Sequence, residues 1–141
     1  MIARNNVLNI RSSSAYKWTG QDGSRKGFCT FKHIDYCYRA AAYLIMRSYR
    51  RRGVFTVKQI IRTWAPDFEN PTDSYIDTVC KWCQYSPTSS INTNFQVAKL
   101  LAAMECFEMG YSAEKRKIAL SENPQHIVEV ITKFNIKFQG S

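Results

Sequence analysis

A helix predicted over residues 94–110 constrains the fold most, because its apolar face contains a carboxylate. At about 100° per residue, four apolar side chains fall on one face: Val97, Leu100, Leu101 and Met104. Glu108 falls near the middle of the same face, and Gly110 follows where a glycine commonly ends a helix. A charge directed at a protein core is costly unless it is paired or used. The sequence therefore predicts either a partner or a chemical role for Glu108.

Two interpretations of Glu108 stand side by side. An apolar setting disfavours the ionised form of a carboxyl group, which is how several sugar-cleaving enzymes keep a proton donor. Activity that uses such a donor should fall as pH rises, because the acid must be protonated to act. The alternative is that Glu108, at the helix end, bends into water and has no function.

The size and composition of the chain predict one globular domain. Its 141 residues suit a single core, and 45% apolar with 13% aromatic residues exclude a disordered chain. No apolar run approaches the roughly 20 residues of a membrane span, and residues 1–6 lack the apolar stretch of a signal peptide. We expect synthesis in a cytoplasm, and any action outside it would need another route.

The net charge of +9 favours a polyanionic partner. Nucleic acid, anionic lipid and the acidic polymers of a bacterial wall all fit, and charge alone does not choose among them. The densest cationic cluster precedes Gly53 and comprises Arg47, Arg50, Arg51 and Arg52. Its plainest role is to complement the negative end of a helix dipole.

Five cysteines form an odd set without the spacing of a disulfide framework. Cys80 and Cys83 form a CxxC pair, but no second pair accompanies it and the chain has two histidines. Both thiols share a helical stripe with Ile76 and Val79, which indicates packing in the core. We expect no metal and no cofactor.

The predicted fold class is mainly α (α+β), a single domain over residues 1–141. A hairpin or small β region covers residues 4–34, a helical core 35–110, and a C-terminal helix with a short strand 111–141. Weak strands are expected at 8–10 and 28–31, and the short C-terminal strand at 136–138.

Residue types that begin or end helices predict the remaining boundaries. The predicted helices run from an N-cap at Asp35 to Gly53, from a Thr56–Gln59 capping box to Pro66, from a cap at Thr72 to about Gln84, and onward from the Asn123-Pro124 pair. In the last case the asparagine would cap the helix and the proline would occupy its first turn.

Short motifs follow one another in a recognisable order over residues 4–110. They are NNVLNIR (5–11), WTG (18–20), FCTF (28–31), YRA (38–40), WAP (64–66), ENPT (69–72), YI (75–76) and MECFEMG (104–110). Together they resemble a family of small proteins from phages and mobile elements. Its members are labelled virion structural proteins, after the virion-associated lytic enzyme of enveloped double-stranded RNA phages. The resemblance implies a peptidoglycan hydrolase, with other virion or mobile-element proteins as further partners.

The N-terminal motifs are also similar, more distantly, to the hairpin of cell-wall glucosaminidases with a lysozyme-like core. TDSYI (72–76) resembles the Thr-x-x-Tyr-Ala stretch of those enzymes. Their catalytic Glu ends a helix upstream of the hairpin, whereas here a similar helix, residues 100–110, lies downstream. The similarity implies a circularly permuted lysozyme-like domain. Proteins tolerate circular permutation when their chain ends lie close together.

These resemblances imply roles for individual residues. Glu108 would be the general acid, and Glu69, with Asp67 behind it, the second carboxylate. A single-acid route like that of lytic transglycosylases is equally open, and so is the choice between glycan and peptide bonds. Five residues would bind substrate: Asn9, Arg11, Trp64, Asn70 and Tyr75. We expect Asn9, Arg11, Glu69 and Glu108 to meet at one groove, with the two carboxylates roughly 5 to 10 Å apart.

Other interpretations remain for these same residues. Trp64 and Tyr75 could be core aromatics, and Glu69 could complement the dipole of the helix at Thr72. The protein could be a non-catalytic virion structural or wall-binding protein with a lysozyme-like fold. Nucleic-acid binding through the arginine cluster is the weakest alternative, because no nucleic-acid-binding signature accompanies it.

Overall fold

Two strands and five α-helices form in the residues that the computed structural model describes, 2–66 and 71–140. The strands are β1 (Gln21–Arg25) and β2 (Phe28–Phe31). The helices are α1 (Ile34–Tyr43), which continues as the π-helical segment Leu44–Tyr49, then α2 (Val57–Trp64), α3 (Thr72–Cys83), α4 (Asn94–Met109) and α5 (Ala113–Lys133). The predicted fold class, mainly helical with a small N-terminal hairpin, is confirmed.

Helix α4 is the centre of the fold, with α1, α3 and α5 packed around it. The predicted apolar stripe is buried, and so are small residues on the other faces: Ala98, Ala102, Ala103 and Cys106. Alanines let neighbouring helices approach closely, so residues 100–106 are covered on every side. A helix that is apolar on every side is typical of a buried core element.

The ends of α4 and α2 follow the local sequence rules. Gly110 ends α4 in the left-handed conformation (φ 62°), as predicted. Thr56 and Gln59 form the predicted capping box at the start of α2, and Thr93 with Gln96 forms a second one at the start of α4. These reciprocal hydrogen bonds satisfy backbone N–H groups that the first helical turn leaves unpaired.

The N-terminal region differs from its prediction. Residues 8–10 form no strand: a turn at residues 7–8 leads into irregular chain, and Arg11 makes an isolated antiparallel bridge with Phe28. The partner of β2 is β1, joined by a tight turn in which Lys26 and Gly27 both have positive φ. That pair of dihedrals suits a two-residue hairpin. Most of β1 is exposed and polar, so it lacks the apolar pattern that marks a strand.

The glycine of the WTG motif has a packing role. Gly20 has a φ of 76°, and a Cβ there would lie 2.1 Å from the Tyr36 ring. Only glycine therefore lets the chain enter β1 while the first turn of α1 packs against it.

Two helix starts are shifted from their predicted caps. His33, not Asp35, is the N-cap of α1, because its Nδ1 accepts the Asp35 N–H and Asp35 lies in the first turn. Thr72 is the first residue of α3 rather than its cap, and its hydroxyl donates to the Ala65 carbonyl at 2.7 Å. That bond ties the start of α3 to the end of α2.

The C-terminal prediction was wrong about where the helix begins. Helix α5 starts after an N-cap at Ser112, and the buried Pro124 lies within it. Proline interrupts one helical hydrogen bond, but α5 packs along both α4 and α1, and that burial outweighs the local cost. Residues 136–138 form no strand and follow α5 as irregular chain.

The arginine cluster and the cysteines serve packing. Arg50 donates to the Ile91 carbonyl at 2.6 Å, and Arg47 donates to the carbonyls of Lys137 and Phe138. Cys80 and Cys83 are buried free thiols, as their spacing predicted. In the part of the chain that is described, no helix combines the length and hydropathy needed to cross a bilayer.

We expect the fold to lose stability steeply in alkali. Burial raises the pKa of the Cys37 thiol from 9.0 to about 12 and that of Cys83 to about 11. The unfolded chain therefore releases these protons before the folded one does. Their contribution is complete below about pH 9 and is lost as pH rises toward the folded-state values.

Unfolding in urea under reducing conditions, from pH 7 to 11, measures this effect. Cys37→Ser should flatten the decline in unfolding free energy above pH 9 by about 1.4 kcal/mol per pH unit. Ala40→Ser, a buried change one turn away that removes no titratable group, should lower stability without changing the slope. If unfolding free energy fell equally with pH in the unaltered protein and both variants, Cys37 would not be the source of the effect.

Candidate active site

Glu108 lies in the last turn of α4, and two side chains from distant parts of the chain hold its carboxylate. Asn9 Nδ2 donates to Oε1 at 2.8 Å, and the Tyr75 hydroxyl donates to Oε2 at 2.8 Å. The predicted meeting of Asn9 and Glu108 is confirmed. The interpretation that Glu108 simply bends into water is wrong, because the side chain is half-buried and bonded on both oxygens.

The position of Asn9 depends on a buried neighbour, Asn6. The Asn6 side chain donates to the carbonyls of Ile10 and Cys29, both at 2.9 Å, and accepts the Ile10 N–H. These bonds bind the turn to β2. Asn9 itself has a φ of 52°, a conformation that asparagine tolerates better than most residues. The NNVLNIR motif is thus a braced turn that presents Asn9 to Glu108.

Tyr75 lies beneath the carboxylate. It is fully buried, and its ring stacks on Phe107 with centroids 4.0 Å apart. Burial raises the pKa of Tyr75 well above 10.0, and the nearby Glu108 charge and hydrogen bond raise it further. The hydroxyl therefore remains a donor throughout the physiological pH range. The prediction that Tyr75 lines the groove needs correction: Tyr75 orients Glu108 from the core side.

Opposing effects act on the ionised form of Glu108. The negative end of the α4 dipole disfavours a negative charge in the last turn. The bonds from Asn9 and Tyr75 favour it, because hydrogen bonds to a charged acceptor are strong. The carboxylate is consequently oriented by hydrogen bonds from two other parts of the chain.

A cleft of about 210 Å³ lies beside this site, because Asn9, which bonds to Glu108, forms part of its wall; Glu108 itself is not among the residues that line it. Arg11, from the N-terminal segment, and Trp64, from α2, also line it, as predicted. Aromatic rings dominate the rest of the wall: Tyr16, Trp18 and Tyr49. Aromatic faces beside polar groups are the usual lining of a ligand site.

Two of the wall residues are held in place by contacts outside the cleft. Trp64 Nε1 donates to the Leu8 carbonyl at 3.1 Å, so the ring is half-buried and anchored to the braced turn. The Arg11 guanidinium lies 4.9 Å from the Phe28 ring centroid. Trp64 is therefore both a packing residue and a cleft residue.

Three predicted site residues, Asp67, Glu69 and Asn70, lie outside the described residues. The predicted separation of the Glu69 and Glu108 carboxylates stays a prediction. Among the described residues, no group of three or more His, Cys, Asp or Glu side chains is placed to hold a metal ion.

The sequence interpretation missed Glu105, a carboxylate only 3% exposed in the centre of the fold. The hydroxyls of Tyr38 and Tyr111 donate to its two oxygens at 2.5 and 2.6 Å. Asn123 Nδ2 lies 3.4 Å from both oxygens. These partners come from α1, from the chain after α4 and from α5. Glu105 therefore holds the last turn of α4, from which Glu108 projects.

A signal for Glu105 was present in the sequence. Residues 100–107 contain one charged side chain in an otherwise apolar run, and that side chain is Glu105. The prediction considered only one helical stripe and so assigned the buried carboxylate to Glu108 alone. The same charge raises the pKa of Tyr38 and of Tyr111, in each case after the larger effect of burial.

No protein-family model matches this sequence, and no curated protein shows significant similarity to it. The resemblance to virion-associated lytic proteins stays a prediction.

We expect Tyr38→Phe to destabilise the protein by about 1.5 to 3 kcal/mol, because a buried carboxylate loses a donor. The free energy of unfolding in urea measures this. Tyr36→Phe is the matched control, since among the described residues no bond to the Tyr36 hydroxyl is present; it should change stability by less than about 0.5 kcal/mol. Similar losses in the two variants would contradict a structural role for Glu105.

Proposed function

We propose that the protein is a peptidoglycan hydrolase that cleaves the glycan strand of the bacterial cell wall, with Glu108 as general acid. One observation carries the proposal: a carboxylate at the end of a buried helix, oriented by Asn9 and Tyr75, adjoins an aromatic cleft. A general acid needs a defined position next to the bond that it protonates.

The cleft supports the choice of a sugar polymer. Trp18, Trp64 and Tyr49 offer ring faces and edges, and Asn9 and Arg11 offer hydrogen-bond donors. Sugars present apolar faces and a rim of hydroxyls, so aromatic rings with a few polar groups suit them. The net charge of +9 favours an anionic polymer.

The reaction needs little beyond the acid. Glu108 would protonate the glycosidic oxygen, and either a second carboxylate or a group of the sugar itself would stabilise the cationic centre. Glu69 is the candidate for the second carboxylate. Without it, the route resembles that of lytic transglycosylases. A circularly permuted lysozyme-like arrangement is part of the same proposal, and the closeness of Asn9 and Glu108 supports it.

A second function, wall binding without cleavage in a virion or mobile element, is favoured by one feature. Both oxygens of Glu108 accept bonds from the protein, as in a purely structural carboxylate. Binding would then need the cleft but not the acid. Substitution of Glu108 separates the two functions.

We expect Glu108→Gln to abolish cleavage of purified peptidoglycan sacculi while the protein stays folded. An amide keeps the shape of the side chain but has no acidic proton to transfer to the glycosidic oxygen. Mass analysis of the soluble products distinguishes anhydro sugars, reducing ends and free peptides. Glu122→Gln, an exposed change on α5, is the control and should remain active. Full activity in a folded Glu108→Gln protein would remove Glu108 from the mechanism.

We expect Asn9→Gly to lower the rate of cleavage by about tenfold to a hundredfold, the range for a lost bond to a charged group. Glycine accepts the positive φ at this position, so the turn should persist. Asn5→Gly is the matched control, because Asn5 also has a positive φ (59°) but bonds to the Phe31 carbonyl. Equal rates in these two variants would show that the Asn9 amide does not orient the acid.

A further inference from the structure

A second cavity, of about 290 Å³, lies between α1 and the chain that follows α5, and cations border it. The basic pocket is lined by Arg39, Arg47 and Lys137, with Tyr43 and Asn135. We propose that it binds an anionic group, phosphate or carboxylate, carried by the wall polymer whose glycan occupies the aromatic cleft. The identity of the polymer rests on the proposed function, whereas anion binding itself does not.

The charge of the basic pocket is not balanced by the protein. No carboxylate is among its lining residues within the described parts of the chain. The acid one turn before Arg39 is Asp35, and it is engaged by His126 at 2.6 Å. Within those same parts, the Arg39 guanidinium makes no ion pair or side-chain hydrogen bond. Its donors are therefore available to a ligand.

Cation–π contacts hold two cationic side chains near the pocket without neutralising their charge. The Arg39 guanidinium and the Lys133 ammonium lie 5.6 and 5.5 Å from the centroid of the Phe134 ring. An aromatic ring attracts a cation weakly at exposed sites and leaves its hydrogen-bond donors free. A phosphate or carboxylate would gain charge-assisted bonds there.

The wall formed by the C-terminal chain is braced. Arg47 donates to the carbonyls of Lys137 and Phe138 at 3.3 and 3.4 Å, and the Gln139 N–H donates to the Met46 carbonyl. The pocket thus exists before a ligand arrives, which reduces the entropic cost of binding.

The end of α5 does not oppose an anion strongly. Its last carbonyls, those of Val130, Ile131 and Thr132, accept N–H groups of the residues that follow the helix. These bonds offset the negative partial charge of the helix end.

The basic pocket and the aromatic cleft are lined by neighbouring residues of one helix. Tyr43 lines the pocket, and the next residue, Leu44, lines the cleft. The Tyr43 ring also meets Trp18, a cleft residue, edge to face at 5.9 Å. A polymer seated in the cleft can therefore extend an anionic substituent past Tyr43 to Arg39.

A wall polymer suits this arrangement better than a nucleic acid. A nucleic acid carries a negative charge at every nucleotide, so a strand in the cleft would bring phosphates toward the Glu108 carboxylate. A glycan carries its anionic groups on substituents at intervals, and so can place one in the pocket while a neutral unit faces Glu108.

Titration with inorganic phosphate, followed by amide NMR shifts, tests the pocket without any polymer. We expect saturable shifts at Arg39, Tyr43 and Asn135, and binding about tenfold weaker in Arg39→Gln or Lys137→Gln. Lys81→Gln removes an exposed charge on α3 and should bind phosphate as the unaltered protein does. Absence of saturable phosphate binding would refute the proposal that the pocket binds an anion. An equal loss of phosphate affinity in Lys81→Gln would refute it too.

Sedimentation with sacculi identifies the source of the anion. With Glu108→Gln as the background, Arg39→Gln should weaken retention on intact sacculi. If the loss persists after hydrofluoric acid removes phosphodiester polymers, the anion is a stem-peptide carboxylate; if it disappears, the anion is a phosphate. Retention unaffected by Arg39→Gln on both materials would refute the proposal.

Two further outcomes keep the proposals apart. Arg39-dependent binding that is tighter for single-stranded oligonucleotides than for sacculi would replace the wall polymer with nucleic acid. Arg39-dependent retention on sacculi, combined with no cleavage by the unaltered protein, would support the pocket and refute only the hydrolase.

Discussion

The burial of the middle of α4, residues 100–106, is the constraint on which the rest of the structure depends, because that helix contains two carboxylates one turn apart. Glu105 and Glu108 have different partners. Glu105 joins the helix to α1 and α5, and Glu108 joins it to the N-terminal turn and α3. Neutral donors bond to both carboxylates, and such bonds stabilise a carboxylate in a core only when their geometry is maintained. The two acids thus tie the helices and the hairpin region into one framework around the cleft.

Asn6 and Tyr75 show how that framework orients a reactive group. Asn6 is buried, and its amide hydrogen-bonds to backbone groups of the turn and of β2. The conformational freedom of Asn9, in the same turn, is therefore small. Tyr75 is buried by α3 and stacks on Phe107, so its hydroxyl has little freedom either. A carboxylate between two such donors is held in one orientation at the edge of the cleft. This is the preorganisation that makes a positioned acid effective.

The sequence predicted the elements whose local signals agree with their burial. The bounds of α4, its terminal glycine and the α2 capping box came from spacing and residue type alone. Helix α5 was mispredicted because Asn123-Pro124 carries a strong local signal for a helix start, while packing on α4 and α1 keeps the chain helical through it. Strand β1 was missed because most of it is exposed and polar. Glu105 was missed because only one helical stripe was considered; its partners, Tyr38, Tyr111 and Asn123, lie outside the helix, and periodicity does not reveal them.

The π-helical segment Leu44–Tyr49 relates the cleft to the basic pocket. Its wider turn rotates the side chains that follow relative to an α-helix, and such segments often occur at functional sites. Leu44 and Tyr49 line the cleft, whereas Arg47, between them in sequence, lines the pocket. This short stretch of chain therefore contributes side chains to both cavities. The apolar pattern of residues 37–48 fits an α-helix equally well, which is why sequence periodicity did not predict the π-helical turn.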